Sequence, residues 1–233
     1  MGIIEDIMSA SRPELTVTQL SQFRAYYTLL ELGNQVMNLT AISGEQNVAT
    51  LHFLDSLIID EAAELEGKKV IDIGSGAGFP GIPLKIAHPE MELTLLDALT
   101  KRVNFMHSVC EQIGIEAVTI HGRAEELSRE QDYREKYDYA VSRAVANLNM
   151  LCELCVPFIK VGGELIAMKG IDCNDEIDAA GNCIRKLGCE LAGVWGYVIP
   201  ETEVAHQLIV VRKVRHTPDA YPRRFAKIQK EPL

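Results

Sequence analysis

Asp72 sits at the end of an apolar run, Val70-Ile71-Asp72-Ile73, that leads straight into Gly74-Ser75-Gly76-Ala77-Gly78-Phe79-Pro80-Gly81. An acid followed by closely spaced glycines suits a cofactor of nucleotide type. Glycine lets the backbone turn sharply and lie against a ligand without Cβ interference, and Pro80 and Pro83 stand where a helix should begin. Two cofactor classes compete for this loop. Gly76 to Gly81 satisfies the G-x-G-x-x-G dinucleotide fingerprint, a weak pattern when alone. Asp72 tips the balance, because a carboxylate there suits a cationic, amine-bearing ligand such as S-adenosylmethionine and would repel a pyrophosphate. Further on, Met91-Glu92-Leu93-Thr94-Leu95-Leu96-Asp97 reads as a strand ending in a second carboxylate. Asp97 is placed to accept both hydroxyls of a ribose, a role common to both cofactor classes.

Other strand ends carry further candidates. Ala124 and Glu125, in Gly122-Arg123-Ala124-Glu125, are placed to meet an adenine ring, and Arg143 follows the strand Tyr139-Ala140-Val141 and points toward the same cleft. What is missing narrows the acceptor. The Asn/Asp-Pro-Pro-aromatic turn that serves exocyclic amines is replaced by Ser142-Arg143-Ala144-Val145, and neither 140–147 nor 165–172 contains the cysteine that pyrimidine C5 chemistry needs. A ring nitrogen such as guanine N7 already has a free lone pair. It needs positioning and electrostatics, and no general base.

These residues need a scaffold, and the hydrophobic pattern describes one. Residues 14–65 show helical spacing through Leu15, Leu20, Phe23, Tyr27 and Leu30, and then through Val48, Leu51, Leu54 and Leu57, with a break from Asn34 to Ser43. From Lys68 the pattern alternates, with strands near 69–73, 92–97, 117–121, 138–142 and 163–168 and helices between them. Gly114, Gly162 and Gly188 mark helix ends. A helix near 174–187 precedes apolar segments at 190–199 and 207–213, joined so closely that they must run antiparallel. The expected fold is therefore α/β and Rossmann-like, a class I S-adenosylmethionine methyltransferase fold: a mostly parallel seven-stranded sheet with an antiparallel last strand and an N-terminal helical extension. Residues 1–66 form that extension and 67–233 the catalytic unit, the two making one compact body. Within the extension, His52 and Asp55 read as packing or capping residues.

At 233 residues and 47% hydrophobic content the chain can bury one substantial core. Its net charge of −10 argues against nonspecific attraction to nucleic acid over the whole surface. The tail differs: residues 212–233 carry seven Lys or Arg against Asp219 and Glu231, +5 overall, which leaves −15 elsewhere. The six cysteines read as buried free thiols in a reducing compartment, including Cys152 and Cys155 of a lone C-x-x-C, and no metal site is expected. The acidic N-terminus is unlike a secretory leader, and no apolar run is long enough to span a membrane.

With these motifs in order, the chain resembles the bacterial small-subunit ribosomal RNA guanine-N7 methyltransferases, the glucose-inhibited division protein B family. The resemblance runs from Met37-Asn38-Leu39-Thr40 and His52-Phe53-Leu54-Asp55 through Asp72–Pro83, Leu96–Arg102, Gly122–Glu126, Ser142–Ala146 and Ala167–Gly170 to Thr217–Arg224. It implies methyl transfer from S-adenosylmethionine to N7 of one guanine of 16S rRNA, with cofactor contacts at Gly74, Phe79, Ala124, Glu125 and Arg143. Asp72, Gly76, Gly78 and Asp97 complete the expected cofactor set, and Arg143 is also the expected positioning residue. Lys101, Arg102, Arg123, Lys169, Arg223 and Arg224 are expected to face rRNA phosphates. Two departures stand out: Ala98 replaces a common Ser, and Phe225-Ala226-Lys227-Ile228 replaces the usual Gly-x-Pro segment of the tail. The expected partner is 16S rRNA or the small subunit, with no membrane, for a cytoplasmic monomer. The competing readings are an NAD-dependent oxidoreductase and a noncatalytic RNA-binding module.

Overall fold

The computed structural model describes residues 2–143 and 145–233. Ala144, within the motif that follows the fourth strand, lies outside the described residues. Two helices open the chain, α1 (Ile3–Ser11) and α2 (Val17–Met37). Helix α2 starts at a capping box. Thr16 Oγ1 accepts the Gln19 N–H at 3.3 Å, and Gln19 Oε1 accepts the Thr16 N–H at 2.8 Å, so two otherwise orphaned donors are satisfied. It ends where Asn38 turns left-handed at φ 49°. The break expected from Asn34 therefore comes later, because the Asn34 side chain accepts the Thr40 N–H at 2.9 Å and ties down the following loop.

A second helical run follows as α3 (Glu45–Val48), a π-helical stretch (Ala49–Leu54), α4 (Asp55–Leu57) and a 3-10 turn (Ile58–Glu61). π-Helical turns are rare and frequently sit at functional sites. Here one carries His52, with Asp55 directly after it.

The α/β part runs β1 (Lys69–Ile73), α5 (Gly81–Ala87), β2 (Glu92–Asp97), α6 (Thr100–Ile113), β3 (Ala117–His121), α7 (Ala124–Leu127), β4 (Tyr137–Arg143), α8 (Leu148–Cys155), β5 (Ile159–Gly170) and α9 (Asn174–Lys186). It closes with β6 (Cys189–Val198), β7 (Ala205–Lys213) and α10 (Phe225–Lys230). The strand order is β3-β2-β1-β4-β5-β7-β6; β1 to β5 are parallel, and β7 runs antiparallel to both β5 and β6. This is the expected fold class. Gly162 is the exception: it lies inside β5 at φ 90°, not at a helix end, because a 3-10 turn (Val156–Phe158) passes directly into a strand that starts four residues early.

Successive residues of a strand face opposite sides of the sheet, and both sides are covered. Val70, Leu93, Leu95 and Val141 pack with Phe23, Tyr26 and Phe53 of the N-terminal helices, whereas Ile71, Ile73, Leu96 and Ala140 pack with α8 and α9. Phe53, fully buried and in aromatic contact with Phe23 and Tyr26, fixes the helical extension to the sheet. Truncating such a side chain to Ala costs about 3–5 kcal/mol. All six cysteines are free and buried. Among the described residues no group of three His, Cys, Asp or Glu could hold a metal ion, and no helix is long and apolar enough to cross a membrane.

Candidate active site

A cleft of about 690 Å³ opens at the carboxyl ends of β1, β2, β4 and β5, where open α/β sheets bind their ligands. One end is the glycine loop. Gly74 has φ 73°, and a Cβ there would meet the Val145 side chain at 2.6 Å; Gly78 has φ 105°, and its Cβ would meet Ile82 at 2.4 Å. At Gly76, φ 62°, a Cβ would meet only Gly74 O, at an ordinary contact distance of 3.9 Å, so little of the protein crowds its backbone on the cleft side. The loop is held from the extension: Tyr26, fully buried, donates its hydroxyl to Ala77 O at 2.7 Å and stacks on Phe79 at 5.3 Å.

The two acids differ in placement. Asp97 lines the cleft; its Oδ2 accepts the Gly76 N–H at 3.0 Å and its Oδ1 the Leu99 N–H at 2.9 Å. Oδ2 also receives Arg102 Nη1 at 3.5 Å, and Oδ1 keeps a lone pair for a hydroxyl. Asp72 is fully buried behind the loop and does not line the cleft. Its Oδ2 accepts the Gly81 N–H at 2.8 Å and so caps α5, while Oδ1 has no partner among the described residues. Burial pushes this carboxyl up to about 7, against the hydrogen bond from Gly81. Asp72, expected to meet a ligand amine, here has its side chain in the sheet–helix layer and bonded to the first turn of α5.

At the other end of the cleft Asp55 is a hub. Its Oδ2 accepts Arg143 Nη1 at 2.9 Å, and its Oδ1 accepts the Tyr197 hydroxyl at 2.8 Å and His206 Nδ1 at 3.0 Å. Only 1% of the Asp55 side chain is exposed. Burial alone would favour the neutral acid, but the hydrogen bond from His206 and the charge of Arg143 hold this carboxyl below the ordinary aspartate range. Arg143 also donates to Leu51 O at 3.3 Å and to His52 Nδ1 at 2.8 Å, and its guanidinium lies 4.9 Å from the Phe79 ring. Since arginine only donates, His52 Nδ1 is an acceptor and Nε2 carries the proton, given to Thr40 Oγ1 at 2.8 Å. Burial and the Arg143 charge push the His52 imidazole down to about 3, so the ring is neutral. It stacks on Phe79 at 4.3 Å.

Gly74, Gly76, Phe79, Asp97 and Arg143 thus line one cleft, together with Arg102 and Lys169. Gly78 supports the loop from within, and Ala124 and Glu125, in the short helix α7 after β3, lie outside the cleft lining. The sequence treated His52 and Asp55 as packing residues, whereas here they border the cleft and fix Arg143. It gave no sign of Tyr197 or His206, which a closing hairpin brings back to the site. His52 and Asp55, three apart on one helical face, were the available signal.

The expected RNA-facing cations divide. Lys101 and Arg123 are exposed, Arg123 lying 5.0 Å from the Phe225 ring; Arg102 is half-buried, 3.5 Å from Asp97. Lys169 is tied to Glu176 at 2.7 Å and to Ala146 O, with 10% of its side chain exposed. Arg223 is not on the surface as expected. It forms a bidentate pair with Glu153, which is fully buried, and its own backbone N–H bonds to the same carboxylate. Lys213 is likewise buried against Glu135 at 2.6 Å, and Arg212 pairs with Glu164 at 2.9 Å. Three of the seven cations of the tail are therefore paired with acidic side chains, leaving Arg215, Arg224, Lys227 and Lys230 exposed.

A family model described as rRNA small subunit methyltransferase G matches residues 19–200. The chain belongs to this family. The ribosomal RNA small subunit methyltransferase G of Alkaliphilus oremlandii is 47% identical over 94% of this chain and 93% of its own length, and that of Caldanaerobacter subterraneus is 48% identical over 94% and 92%. Solved structures extend the likeness of fold at low identity. An O-methyltransferase from Bacillus cereus superposes with a TM-score of 0.60 at 14% identity, over 90% of this chain and 97% of that one. TYW2 of M. jannaschii gives 0.54 at 12%, over 69% and 75%.

Proposed function

We propose that the cleft binds S-adenosylmethionine and delivers its methyl group to N7 of a guanine in 16S rRNA of the small ribosomal subunit. The observation that carries this reading is the composition of the cleft: Asp97 and an open glycine loop at one end, arginine, lysine and histidine side chains at the other, and no cysteine among the described lining residues. A ring nitrogen needs no covalent adduct, and the cleft offers no thiol for one.

The residues present fit the cofactor. Asp97 supplies a carboxylate for the ribose diol, and the open face of Gly76 leaves room for close backbone approach. When bound, S-adenosylmethionine supplies a methyl group on a cationic sulfonium. Gly74, Gly76, Phe79 and Arg143 border it in this reading, Ala124 and Glu125 meet the adenine from α7, and Asp72 and Gly78 hold the loop from behind. Arg143, clamped by Asp55, His52 and Leu51 O, keeps a fixed positive charge beside Phe79 and orients the acceptor. Such preorganised groups act without reorganising during the reaction. Lys101, Arg102, Arg123 and Arg224 meet rRNA phosphates, joined by Lys227 and Lys230. The protein acts as a cytoplasmic monomer.

Thermal shifts separate cofactor classes: S-adenosylhomocysteine should raise Tm and NADH should not. Mass mapping of 16S rRNA from cells with and without the gene should then show one methylated guanine that depends on it. A shift with NADH alone, or identical rRNA from both cells, contradicts the proposal.

A further inference from the structure

Among the described residues, the side chains at the acceptor end of the cleft are rich in hydrogen-bond donors and offer few free acceptors. Arg143 and Lys169 only donate. Both Asp55 oxygens are taken by Arg143, Tyr197 and His206, and the carboxylate is sealed from solvent. Both His52 nitrogens are engaged, by Arg143 and Thr40. Thr40 Oγ1 already receives the His52 Nε2–H and the Ile42 N–H at 3.0 Å. Ser75 is buried, its hydroxyl donated to Asp72 O at 2.9 Å.

His206 is different. Its Nδ1–H is spent on Asp55, its ring stands edge-on to Tyr197 at 6.0 Å, and 30% of the side chain remains exposed in the cleft wall. Because the ionised Asp55 can only accept, the Nδ1 proton is fixed by this hydrogen bond, and the imidazole in its neutral form carries its lone pair at Nε2. Among the described residues, no hydrogen bond engages Nε2.

On the reading that the cleft methylates a guanine at N7, we infer that His206 Nε2 is the acceptor that reads the N–H edge of the target base. Guanine presents N7 and O6 as acceptors on one side, suited to the arginine and lysine donors, and N1–H and the amino group as donors on the other. Adenine has no hydrogen at N1, so an acceptor aimed there discriminates between the purines. The same bond favours the reaction. As the N7 lone pair forms its bond to the methyl carbon, the carbon–sulfur bond breaks and its electrons stay on the departing thioether, so positive charge passes into the purine. No proton leaves, but N1–H becomes more acidic, and its hydrogen bond to His206 strengthens as the charge develops. An interaction stronger in the transition state than in the ground state raises the rate. Asp55 and Tyr197 are positioning residues for this purpose: they set the tautomer and orientation of His206 without touching the base.

The experiment compares wild type, His206→Ala and His206→Gln in methyl transfer to unmodified small subunits and to 16S rRNA, alongside S-adenosylhomocysteine binding by calorimetry. His206→Ala should lower kcat/KM roughly 10- to 100-fold, the loss expected for one hydrogen bond to a group gaining charge. Its affinity for S-adenosylhomocysteine should stay at the wild-type value. Gln offers an amide oxygen at the same place and should recover most of the rate, which a purely structural role would not predict. The inference is overturned if His206→Ala keeps wild-type kcat/KM, if Gln is as poor as Ala, or if cofactor affinity falls in step with activity. A wild-type protein that binds the cofactor but methylates neither substrate overturns the functional reading itself, and this inference with it; an active wild type with an equally active Ala variant overturns this inference alone.

Discussion

Asp55 and Arg143 lie 88 positions apart in the chain and meet at 2.9 Å in the wall of the cleft, the carboxylate sealed from solvent and the guanidinium 14% exposed. The pair joins the N-terminal helical run to β4, so the extension helps build the site. Removing one partner of a buried ion pair strands the other. Asp55→Ala should therefore lower the unfolding free energy by about 3–5 kcal/mol, with a parallel loss of methyl transfer. Asp55→Asn, which keeps an oxygen for Arg143, should lose less stability. Urea unfolding of both variants checks this, and equal stability of Asp55→Ala and wild type would show that the pair contributes nothing.

The tail contains two kinds of arginine. Arg223→Ala leaves the fully buried Glu153 without its cation and should cost about 3–5 kcal/mol in stability. Replacing three of the exposed cations instead, Arg224→Glu with Lys227→Glu and Lys230→Glu, should leave Tm nearly unchanged. That triple variant should weaken binding to 16S rRNA on the order of tenfold or more and flatten its salt dependence, since fewer counterions are released. Filter binding across a salt titration decides the matter. An unchanged salt slope would mean that the tail does not meet RNA.

The glycine loop and both strand-end acids were legible because their signals are local: a buried strand, closely spaced glycines, and a carboxylate after the next strand. The same locality gave the reversed hairpin. The Asp55 hub was not legible, because its partners come from three separate strands, β4, β6 and β7, and Tyr197 and His206 belong to no motif. The placement of Asp72 was hidden for a related reason: sequence puts an acid at the strand end, but only the fold shows its side chain bonded to the first turn of α5. Charge counting misled at Arg223, where an acid 70 positions earlier in the chain neutralises it.

Asp97→Ala should weaken S-adenosylmethionine binding by roughly 1.5–3 kcal/mol, the worth of hydrogen bonds to a charged group. Gly76→Val should do more damage, since its side chain would enter the open space of the cleft from a backbone at φ 62°. Calorimetric titration with S-adenosylhomocysteine measures both. Wild-type affinity in a folded Gly76→Val variant would move the cofactor away from this loop.

Asp72 gives a pH signature. Its folded-state carboxyl, pushed up to about 7 by burial, holds its proton through a range in which the unfolded chain, near 3.8, has released it. Its contribution is therefore fully present below about pH 4 and is lost as pH rises through about 7. Asp72→Asn keeps an acceptor for the Gly81 N–H but cannot ionise. Its stability relative to wild type should rise from pH 5 to pH 8. Parallel stability–pH curves for the two proteins would show that burial does not shift this group.

The most direct measurement uses purified protein, S-adenosylmethionine carrying a labelled methyl group, and small subunits from cells lacking the gene, with the modified nucleotide located by mass mapping and its N7 position by borohydride–aniline cleavage of the RNA. The account predicts one labelled methyl per 16S rRNA, at N7 of a single guanine, with the RNA chain cleaved at that site. Label on a ribose, on an exocyclic amine or on a pyrimidine, or no incorporation by a protein that binds the cofactor, would contradict it.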